Sequence, residues 1–275
     1  MIKEYDLRGK VGIVTGGGRG IGKEIALVLA EAGVDVVVTA RTATEVQQTA
    51  EEIRHLGQRS IAVPADVTKA EQIHEVVRRA LSEFGKIDIL INNAGIAILK
   101  PAVYVSGVEP PQWQGNLGWN AQLSEQEWRQ VIDTNLTSVF LFSQAVAPCM
   151  IRQRSGKIIN ISSNSDNLAP PYFSAYCVSK AGLSMFTRCL ASELAPFNVC
   201  VNAIGPGHVL TPMTAKVYED PEKRRQMLDT VPMGREGDVR GIGLLVVYLA
   251  SEASDYMTGE ILHLDGGQLM RGNGT

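Results

Sequence analysis

The sequence predicts one α/β domain over residues 1–275, with a doubly wound parallel sheet of about seven strands and helices on both faces. Three observations predict this fold. Short β-branched apolar runs alternate with longer amphipathic stretches along the chain. These runs are apolar throughout, which is typical of parallel strands that are buried on both faces. A glycine-rich turn follows the first run, at the edge where sheets of this kind bind their ligands.

The first third of the chain predicts four strands, and each of the first three is followed by a helix. The strands are residues 10–15, 35–40, 60–66 and 87–95, and the helices are residues 20–32, 43–57 and 69–85. Right-handed crossovers between successive strands place these helices on the two faces of the sheet.

The rest of the chain predicts three more strands and two long helical segments. The strands are residues 156–162, 198–207 and 259–267, and the helical segments are residues 124–151 and 174–195. Ser124 and Glu127 have the spacing of a capping box, which predicts that the first of these segments begins at Ser124.

Residues 96–123 interrupt the alternation of strands and helices. They contain three prolines and two tryptophans, Trp113 and Trp119, without a helical or strand period. A loop of this length is uncommon in a compact domain unless it is functional or disordered. Two functional interpretations stay open: the loop narrows a substrate pocket with its aromatic side chains, or it covers a subunit interface.

Composition and charge exclude several classes of function. The net charge is −3 and no basic block is present, so we expect neither a nucleic acid nor an anionic membrane as a partner. The beginning of the chain has no apolar segment typical of a signal peptide, and the longest apolar runs are too short to cross a bilayer. Four cysteines without C-x-x-C spacing indicate reduced thiols, so we expect a cytoplasmic protein.

The glycine-rich turn "TGGGRGIGKE" at residues 15–24 has two nucleotide-binding interpretations. A mononucleotide P-loop needs a hydroxyl after its lysine to bind Mg²⁺, and Glu24 stands at that position. The alternative is a dinucleotide site, in which glycines allow close backbone approach and the helix N-terminus binds pyrophosphate. On the turn alone, an ordinary strand–helix connection that uses glycine for positive φ stays open.

Four further motifs follow this turn in a fixed order. They are Asn92-Asn93-Ala94-Gly95, the pair Ser162-Ser163, Tyr176-x-x-x-Lys180 and Pro206-Gly207. Together with the turn they resemble the short-chain dehydrogenase/reductase family, over nearly the whole chain from Lys10 to Gly267. The resemblance implies a Rossmann-like fold, a nicotinamide dinucleotide cofactor, a substrate lid at about residues 205–230 and a homotetramer.

The resemblance also implies a set of cofactor-binding residues. Asp66 and Val67 correspond to the adenine contact, Asn93 steadies the central strand, and Thr211 holds the nicotinamide amide. The full set is Gly16, Arg19, Gly20, Ile21, Gly22, Arg41, Asp66, Val67, Asn93, Ala94, Gly95, Tyr176, Lys180, Pro206, Gly207, Val209 and Thr211.

The choice between the two nicotinamide cofactors depends on the end of the second strand. Proteins selective for NAD place a carboxylate there to bind the ribose 2′-hydroxyl, and Ala40 occupies that position. Arg41 and Arg19 supply guanidinium groups that suit the 2′-phosphate of NADP. We therefore expect NADP(H) in preference to NAD(H).

The catalytic set is predicted partly from spacing and partly from the resemblance. Tyr176 and Lys180 are four residues apart on a predicted helix, so their side chains share one face. We expect the lysine ammonium to lower the pKa of the tyrosine, which then acts as general acid or base. Ser163 would hydrogen-bond the same substrate oxygen, and Ser162 fits the family spacing less well. Asn135 resembles the family's proton-relay asparagine.

The substrate is less defined than the chemistry. The segments "TPMTAKVYEDPE" and "LHLDGG" resemble gluconate 5-dehydrogenases and other sugar or polyol dehydrogenases, and also 3-oxoacyl-carrier-protein reductases. The absence of a basic dock for a carrier protein favours a small polar ketone and its alcohol. The histidines lack metal-ligand spacing, so we expect no metal site. A non-catalytic NADP(H)-binding sensor or scaffold is the alternative of another class.

Overall fold

The computed structural model describes residues 2–108, 121–212 and 214–271. Seven parallel strands form one sheet in the order β3-β2-β1-β4-β5-β6-β7. The strands are β1 Val11–Thr15, β2 Asp35–Thr39, β3 Ser60–Ala62, β4 Ile89–Asn92, β5 Gly156–Ile161, β6 Val199–Pro206 and β7 Ile261–Leu264.

Nine α-helices lie in the described ranges, between and beside these strands. They are α1 Gly20–Glu31, α2 Ala43–His55, α3 Ala70–Phe84, α4 Glu125–Ile132, α5 Ser138–Gln153, α6 Ser174–Leu194, α7 Ala215–Tyr218, α8 Pro221–Asp229 and α9 Val239–Ala250. The predicted doubly wound α/β fold is confirmed, and each predicted strand and helix lies within about two residues of an observed one, except at β3, β4 and β7.

Strand β3 is shorter than its predicted range of 60–66 because Pro64 has no amide hydrogen for the ladder. The chain beyond it stays close to β2 nonetheless. The Val63 and Ala65 amides donate to the Val38 and Ala40 carbonyls, at 2.9 and 3.0 Å. The extended path to Asp66 is therefore kept, although the regular strand ends early.

The core has two halves because successive side chains of each strand point to opposite faces of the sheet. In β1, Val14 packs on the face covered by α1, α2 and α9, whereas Ile13 packs on the face covered by α3, α5 and α6. Both faces are apolar and covered, as the uniformly apolar strands predict.

The strand order reverses direction at β1, which lies between β2 and β4. The connections from β1 and from β4 therefore leave toward opposite sides, and a crevice opens at the carboxyl ends of these two strands. The glycine-rich turn after β1 and the segment Asn93–Gly95 after β4 form the walls of this crevice.

The helical run Glu125–Gln153 combines α4, a π-helical turn at Asp133–Thr137 and α5. It is 29 residues long and, by length and composition alone, apolar enough to cross a membrane, contrary to our expectation that no apolar run is long enough. Half of its most apolar window is buried inside the fold, with Phe142 and Met150 in the core. It is therefore placed as a core helix. The predicted capping box is confirmed, with the Glu127 amide donating to Ser124 Oγ.

The long loop is described only at its two ends. The Lys100 amide donates to the Tyr172 carbonyl at 3.1 Å, and the Leu123 amide donates to the Pro101 carbonyl at 2.8 Å. These bonds hold the two ends of the loop together beside the segment that leads into α6. Trp113 and Trp119 of the predicted loop lie outside the described residues, as does Met213 of the predicted lid.

Candidate cofactor and active site

A cleft at the carboxyl edge of the sheet collects nearly all the predicted site residues. Asn135 is the exception, since it lies beneath the cleft wall and is fully buried. The predicted residues that line the cleft are Gly16, Arg19, Gly20, Ile21, Gly22, Arg41, Asp66, Val67, Asn93, Ala94, Gly95, Ser163, Tyr176, Lys180, Pro206, Gly207, Val209 and Thr211.

The glycine-rich turn has a shape that side chains would prevent. Gly16 and Gly20 have φ values of 65° and 55°, in the left-handed region that glycine adopts without strain. A Cβ on Gly22 would lie 2.3 Å from the Gly16 carbonyl oxygen. The turn therefore packs closely on itself and leaves open backbone toward the cleft.

The N-terminus of α1 provides an anion-binding site in this turn. Among the described residues, no side chain caps the helix and no acidic residue lies in its first turn. The first amide groups of a helix have no partner within it, and the helix dipole is positive at this end. This cradle fits the pyrophosphate of a dinucleotide, and Glu24 supplies no hydroxyl for the Mg²⁺ of a P-loop.

Asn93 joins the end of β4 to the glycine-rich turn. Its Nδ2 donates to the Thr15 and Gly16 carbonyls at 2.9 and 3.3 Å. In return, Thr15 Oγ1 accepts the amides of Asn93 and Ala94 at 2.9 and 3.1 Å. The two turns that wall the crevice are thus fixed to each other by side chain–backbone hydrogen bonds.

The far end of the cleft carries both arginines and one acid that sequence analysis missed. Arg19 and Arg41 line the cleft together with Ala40. Glu45, in the first turn of α2, also lines it and lies 3.8 Å from Arg19, Oε1 to Nη1. Among the described residues that line the cleft, the acids are Glu45, which lies beside Arg19, and Asp66, which lies beside Arg41. The position of Glu45 follows from α2 beginning directly beyond the end of β2, which is the signal that could have found it.

Asp66 is held as a charged group beside Arg41. Burial raises the pKa of its carboxyl, but hydrogen bonds from the Thr68 amide and hydroxyl outweigh this effect, and the charges of Arg41 and Lys69 add to them. The net result is a lowered pKa, so Asp66 is ionised at neutral pH and available as a hydrogen-bond acceptor.

Tyr176 and Lys180 come together on α6 as the four-residue spacing predicts. Lys180 Nζ lies 5.7 Å from the Tyr176 ring centroid and donates to the Ile161 carbonyl at 2.7 Å. The lysine is 4% exposed. Burial lowers its pKa to about 8, and the Asp166 carboxylate opposes this shift.

The expectation that the pKa of Tyr176 is lowered is wrong for the protein without cofactor. The pKa of Tyr176 is raised, because burial of the phenol outweighs a hydrogen bond from Ser163 that lowers it, and the Cys177 thiol raises it further. The four-residue spacing correctly predicted the contact between Tyr176 and Lys180. It could not predict how deeply the phenol is buried, and burial decides the direction in which its pKa shifts. Tyr176 is therefore a protonated phenol in this state.

Ser163 and Ser162 have different surroundings although they are adjacent. The Ser163 hydroxyl donates to Asn164 Oδ1 at 3.4 Å and accepts the Ser165 amide at 3.1 Å, and its interaction with Tyr176 lowers the pKa of that phenol. The Ser162 hydroxyl lies 3.0 Å from Ser184 Oγ and points into the fold behind Lys180. Of the two, Ser163 is the one placed to meet a substrate oxygen beside Tyr176.

Asn135 lies in the π-helical turn, a deformation that often occurs at functional sites. Its Oδ1 accepts the Ile96 amide at 2.8 Å, and its Nδ2 donates to the Ile96 carbonyl and to Ser179 Oγ at 2.9 and 3.0 Å. The side chain amide is thus fully used within the fold. These bonds fix the segment after β4 at Ile96. The role of Asn135 in a proton relay stays a prediction.

The segment after β6 closes the cleft opposite the glycine-rich turn. Thr211 is fixed by Thr214, whose Oγ1 accepts the Thr211 amide at 3.0 Å. His208 turns away from the cleft to Gln268, whose Nε2 lies 3.1 Å from His208 Nε2. Gln268 also bonds Asn164 and Thr230, at 2.6 and 2.9 Å, and this network had no signal in the local sequence.

The sequence of this chain is similar to those of known proteins over most of its length. Residues 10–222 match the family model of the short chain dehydrogenase. The 3-oxoacyl-acyl-carrier-protein reductase FabG of Staphylococcus epidermidis is 38% identical over 262 residues, which cover 95% of this chain and 99% of that protein. The 2-dehydro-3-deoxy-D-gluconate 5-dehydrogenase of Escherichia coli is 37% identical over 272 residues, which cover 98% of this chain and 100% of that protein.

Solved structures are similar over the same extent. A gluconate 5-dehydrogenase from Burkholderia cenocepacia, in complex with NADP and tartrate, is 31% identical with a TM-score of 0.85. The match covers 97% of this chain and 98% of that chain. Identity above 30% over nearly the whole length, with the family model, establishes the family of this chain.

Proposed function

The chain belongs to the short-chain dehydrogenase family, and we propose that it is an NADP(H)-dependent oxidoreductase that interconverts a small polar ketone and a secondary alcohol. One observation carries the proposal. Tyr176, Lys180 and Ser163 converge at one end of the same cleft whose other end is formed by the uncapped α1 N-terminus and the two arginines.

The reduction direction suits the protonation state of Tyr176. When bound, NADPH supplies a hydride, which forms the new C–H bond at the carbonyl carbon. Tyr176 gives its proton to the carbonyl oxygen, and the raised pKa of the phenol keeps that proton in place until then. Ser163 donates a hydrogen bond to the same oxygen and stabilises the charge that develops on it. The oxidation direction needs the phenolate, which burial opposes.

Lys180 has a second contribution in this scheme. Its ammonium lies between the phenol and the Ile161 carbonyl, so it favours the phenolate left after proton transfer. By family resemblance it also holds the nicotinamide ribose hydroxyls.

Substitution of Arg41 tests whether the cofactor is NADP(H) or NAD(H). Arg41→Ala should weaken NADPH binding by about 10- to 100-fold, since a hydrogen bond to a charged phosphate is lost, and should leave NADH nearly unchanged. Dissociation constants from titration of the cofactor fluorescence measure this. Arg78→Ala, which removes an exposed arginine of α3 paired with Glu75, is the matched control. Equal losses for both cofactors would reject the 2′-phosphate assignment.

The substrate class is supported by relatives of two kinds. One named relative acts on a gluconate derivative and another on a 3-oxoacyl group held by a carrier protein. A keto-sugar acid or polyol is the leading substrate, because the basic run of α8, Lys223 to Arg225, is paired with acidic side chains of this chain and so is less suited to an acidic carrier protein. The 3-oxoacyl-carrier-protein reductase is the second candidate, and a homotetramer in the cytoplasm is the expected form.

A turnover screen separates these hypotheses. Wild type and Tyr176→Phe are assayed with NADPH and NADH against keto-sugar acids and 3-oxoacyl thioesters, and with NADP⁺ and NAD⁺ against polyols. We expect the highest kcat/KM with NADPH and a keto-sugar acid. A higher value for the thioesters would establish the second candidate. Tight NADPH binding with no turnover of any member would instead support the non-catalytic sensor.

A further inference from the structure

Asp166 is a buried acid that the scheme above leaves without a role. It ends the one-turn 3-10 helix Asn164–Asp166, which begins directly after Ser163. Its amide donates to the Ser163 carbonyl at 3.1 Å. Its side chain is only 2% exposed. Burying a carboxylate is costly unless its oxygens are satisfied, so its partners are informative.

Three side chains from different parts of the fold meet this carboxylate. Ser184 Oγ, one turn beyond Lys180 on α6, donates to Oδ2. Asn167 Nδ2 donates to Oδ1 at 2.7 Å. His263 Nε2, on β7, lies 2.9 Å from Oδ1. Room for the imidazole comes from Gly205 on β6, where a Cβ would lie 2.4 Å from His263 Cδ2.

The order of these groups excludes a nucleophilic triad. Asp166 stands between Ser184 and His263, so the serine hydroxyl donates to the carboxylate and meets no base. A serine nucleophile needs the histidine in the middle. The cluster therefore acts through its charge and its tether to neighbouring elements.

Asp166 meets the helical turn that carries Lys180. Ser184 Oγ, which donates to the Asp166 carboxylate, lies 3.0 Å from Ser162 Oγ, and Ser162 Oγ donates to the Lys180 carbonyl at 3.3 Å. Asp166 is the one acid that favours the ammonium of Lys180 among the described residues. The other groups that face Lys180 are the Tyr176 phenol ring on α6, the Ile161 carbonyl on β5 and Gly95 after β4. The groups that face Asp166 are Ser184, Asn167 and the titratable His263.

We propose that Asp166 is a positioning residue for the reaction, which ties the Ser163 turn to α6 and β7 and supplies the counter-charge that keeps the buried Lys180 cationic. The tether alone does not need a charge. An asparagine at this position would accept the Ser184 hydroxyl and donate to the other tautomer of His263, losing only the exposed hydrogen bond from Asn167. A carboxylate that is kept buried where an amide would serve points to an electrostatic role.

The first test needs no turnover, so it does not depend on the proposed function. The pKa of Lys180 is measured in the cofactor-free protein by NMR with ¹³Cε-labelled lysine, and its signal is assigned by its loss in Lys180→Arg. Asp166→Asn should lower this pKa further below about 8, by at least about half a unit, because a nearby negative charge is removed. Ser184→Ala, which cuts the tether and keeps the charge, should leave it within about 0.2 units.

Three outcomes would overturn the proposal. They are an unchanged Lys180 pKa in Asp166→Asn, an equal shift in Ser184→Ala, and failure of both Asp166→Asn and Asp166→Ala to fold by circular dichroism. The last would show that the carboxylate serves the structure itself. Asp166→Ala is the second charge-removing variant, and it should give the same direction of shift.

The second test rests on the proposed function. The alkaline limb of kcat/KM for ketone reduction should move to lower pH in Asp166→Asn by the shift that NMR gives, with turnover recovered at lower pH. If the pKa of Lys180 shifts and the alkaline limb of kcat/KM does not, the electrostatic effect of Asp166 on Lys180 is confirmed, but the assignment of Lys180 to the reaction fails.

Discussion

The two ends of the cleft are built in different ways. The dinucleotide end consists of strand ends, glycine backbone and one helix N-terminus, joined by Asn93 and Thr15 within the first ninety-four residues. The substrate end is supported from behind by segments far apart in sequence, such as Asn164, next to Ser163, and Gln268, which are 104 residues apart and bonded at 2.6 Å. The first end is set mainly by backbone groups, with Thr15 and Asn93 bonded to backbone atoms 78 or 79 residues away, whereas the second depends on bonds between side chains of distant segments.

This difference separates cofactor binding from substrate recognition. A change at the dinucleotide end should alter affinity for NADPH whatever the ketone is. A change at the substrate end should alter the KM for the ketone and leave the affinity for NADPH unchanged. The proposed catalytic residues Tyr176 and Lys180 lie at the substrate end. Tyr176 should affect turnover, whereas Lys180, which by family resemblance also holds the nicotinamide ribose, should affect cofactor binding as well.

Tyr176→Phe should have the largest effect of the substitutions considered. Loss of the general acid should lower kcat by about 10²- to 10⁴-fold, with the dissociation constant of NADPH unchanged. Steady-state kinetics and cofactor titration measure the two quantities. Tyr256→Phe removes the hydroxyl of a fully exposed tyrosine and should match the wild type. Comparable turnover in both variants would remove Tyr176 from the mechanism.

Gly16→Ala should damage the dinucleotide end selectively. Its φ is +65°, and a Cβ would lie 2.8 Å from Asn93 Nδ2 and 3.0 Å from Ala94 Cα. Strain of about 1–3 kcal/mol at this turn should weaken NADPH binding by roughly 10- to 100-fold. Gly57→Ala is the matched control, because Gly57 also has positive φ but faces open space. It should lose some stability and no affinity; equal affinity losses would show that backbone strain acts globally.

Gln268→Leu should affect the substrate end alone. It breaks the bonds to Asn164, His208 and Thr230 while keeping similar volume, and each lost buried bond costs about 1 kcal/mol. The expected result is a rise of about tenfold in KM for the ketone, with NADPH affinity within about twofold of wild type. If the affinity for NADPH fell by the same factor by which the KM for the ketone rose, the two ends would not be independent.

Glu45→Gln should have the smallest effect, with an opposite sign. Glu45 pairs with Arg19 at 3.8 Å, and both side chains are partly exposed. Removing its charge should tighten NADPH binding by about two- to fivefold, since exposed ion pairs contribute at most about 1 kcal/mol. NADH affinity should change less. Isothermal titration with both cofactors measures this, and weaker NADPH binding would mean that Glu45 positions Arg19 for the phosphate.

How far the sequence predicts the site follows the same division. The seven strands and the capping box at Ser124 come from local patterns, whereas the cleft-lining residues from Gly16 to Thr211 are expected from motifs that resemble the family. The structure forms the predicted strands and brings these residues to one cleft. Contacts that join distant segments have no local pattern, such as Asp166 with His263, which are 97 residues apart.

Electrostatics could be predicted only in part. The spacing of Tyr176 and Lys180 gave their contact, but the pKa of the phenol is raised because burial outweighs its hydrogen bond. Glu45 escaped notice because it lies on a helix away from every motif, although its helix starts at the cleft. Burial and proximity between elements are properties of the complete fold, which periodicity and motif spacing do not contain.

Transfer of isotope from the cofactor tests the central claim most directly. Wild type and Tyr176→Phe are incubated with NADPH that carries two deuterium atoms at C4 of the nicotinamide ring, so that either face transfers the label. The best ketone of the screen is the substrate, and the alcohol is analysed by mass spectrometry. We predict one deuterium on the carbinol carbon in wild type, formed at least about 100-fold more slowly by Tyr176→Phe. Unlabelled alcohol from wild type, or labelled alcohol formed equally fast by the variant, would contradict the account.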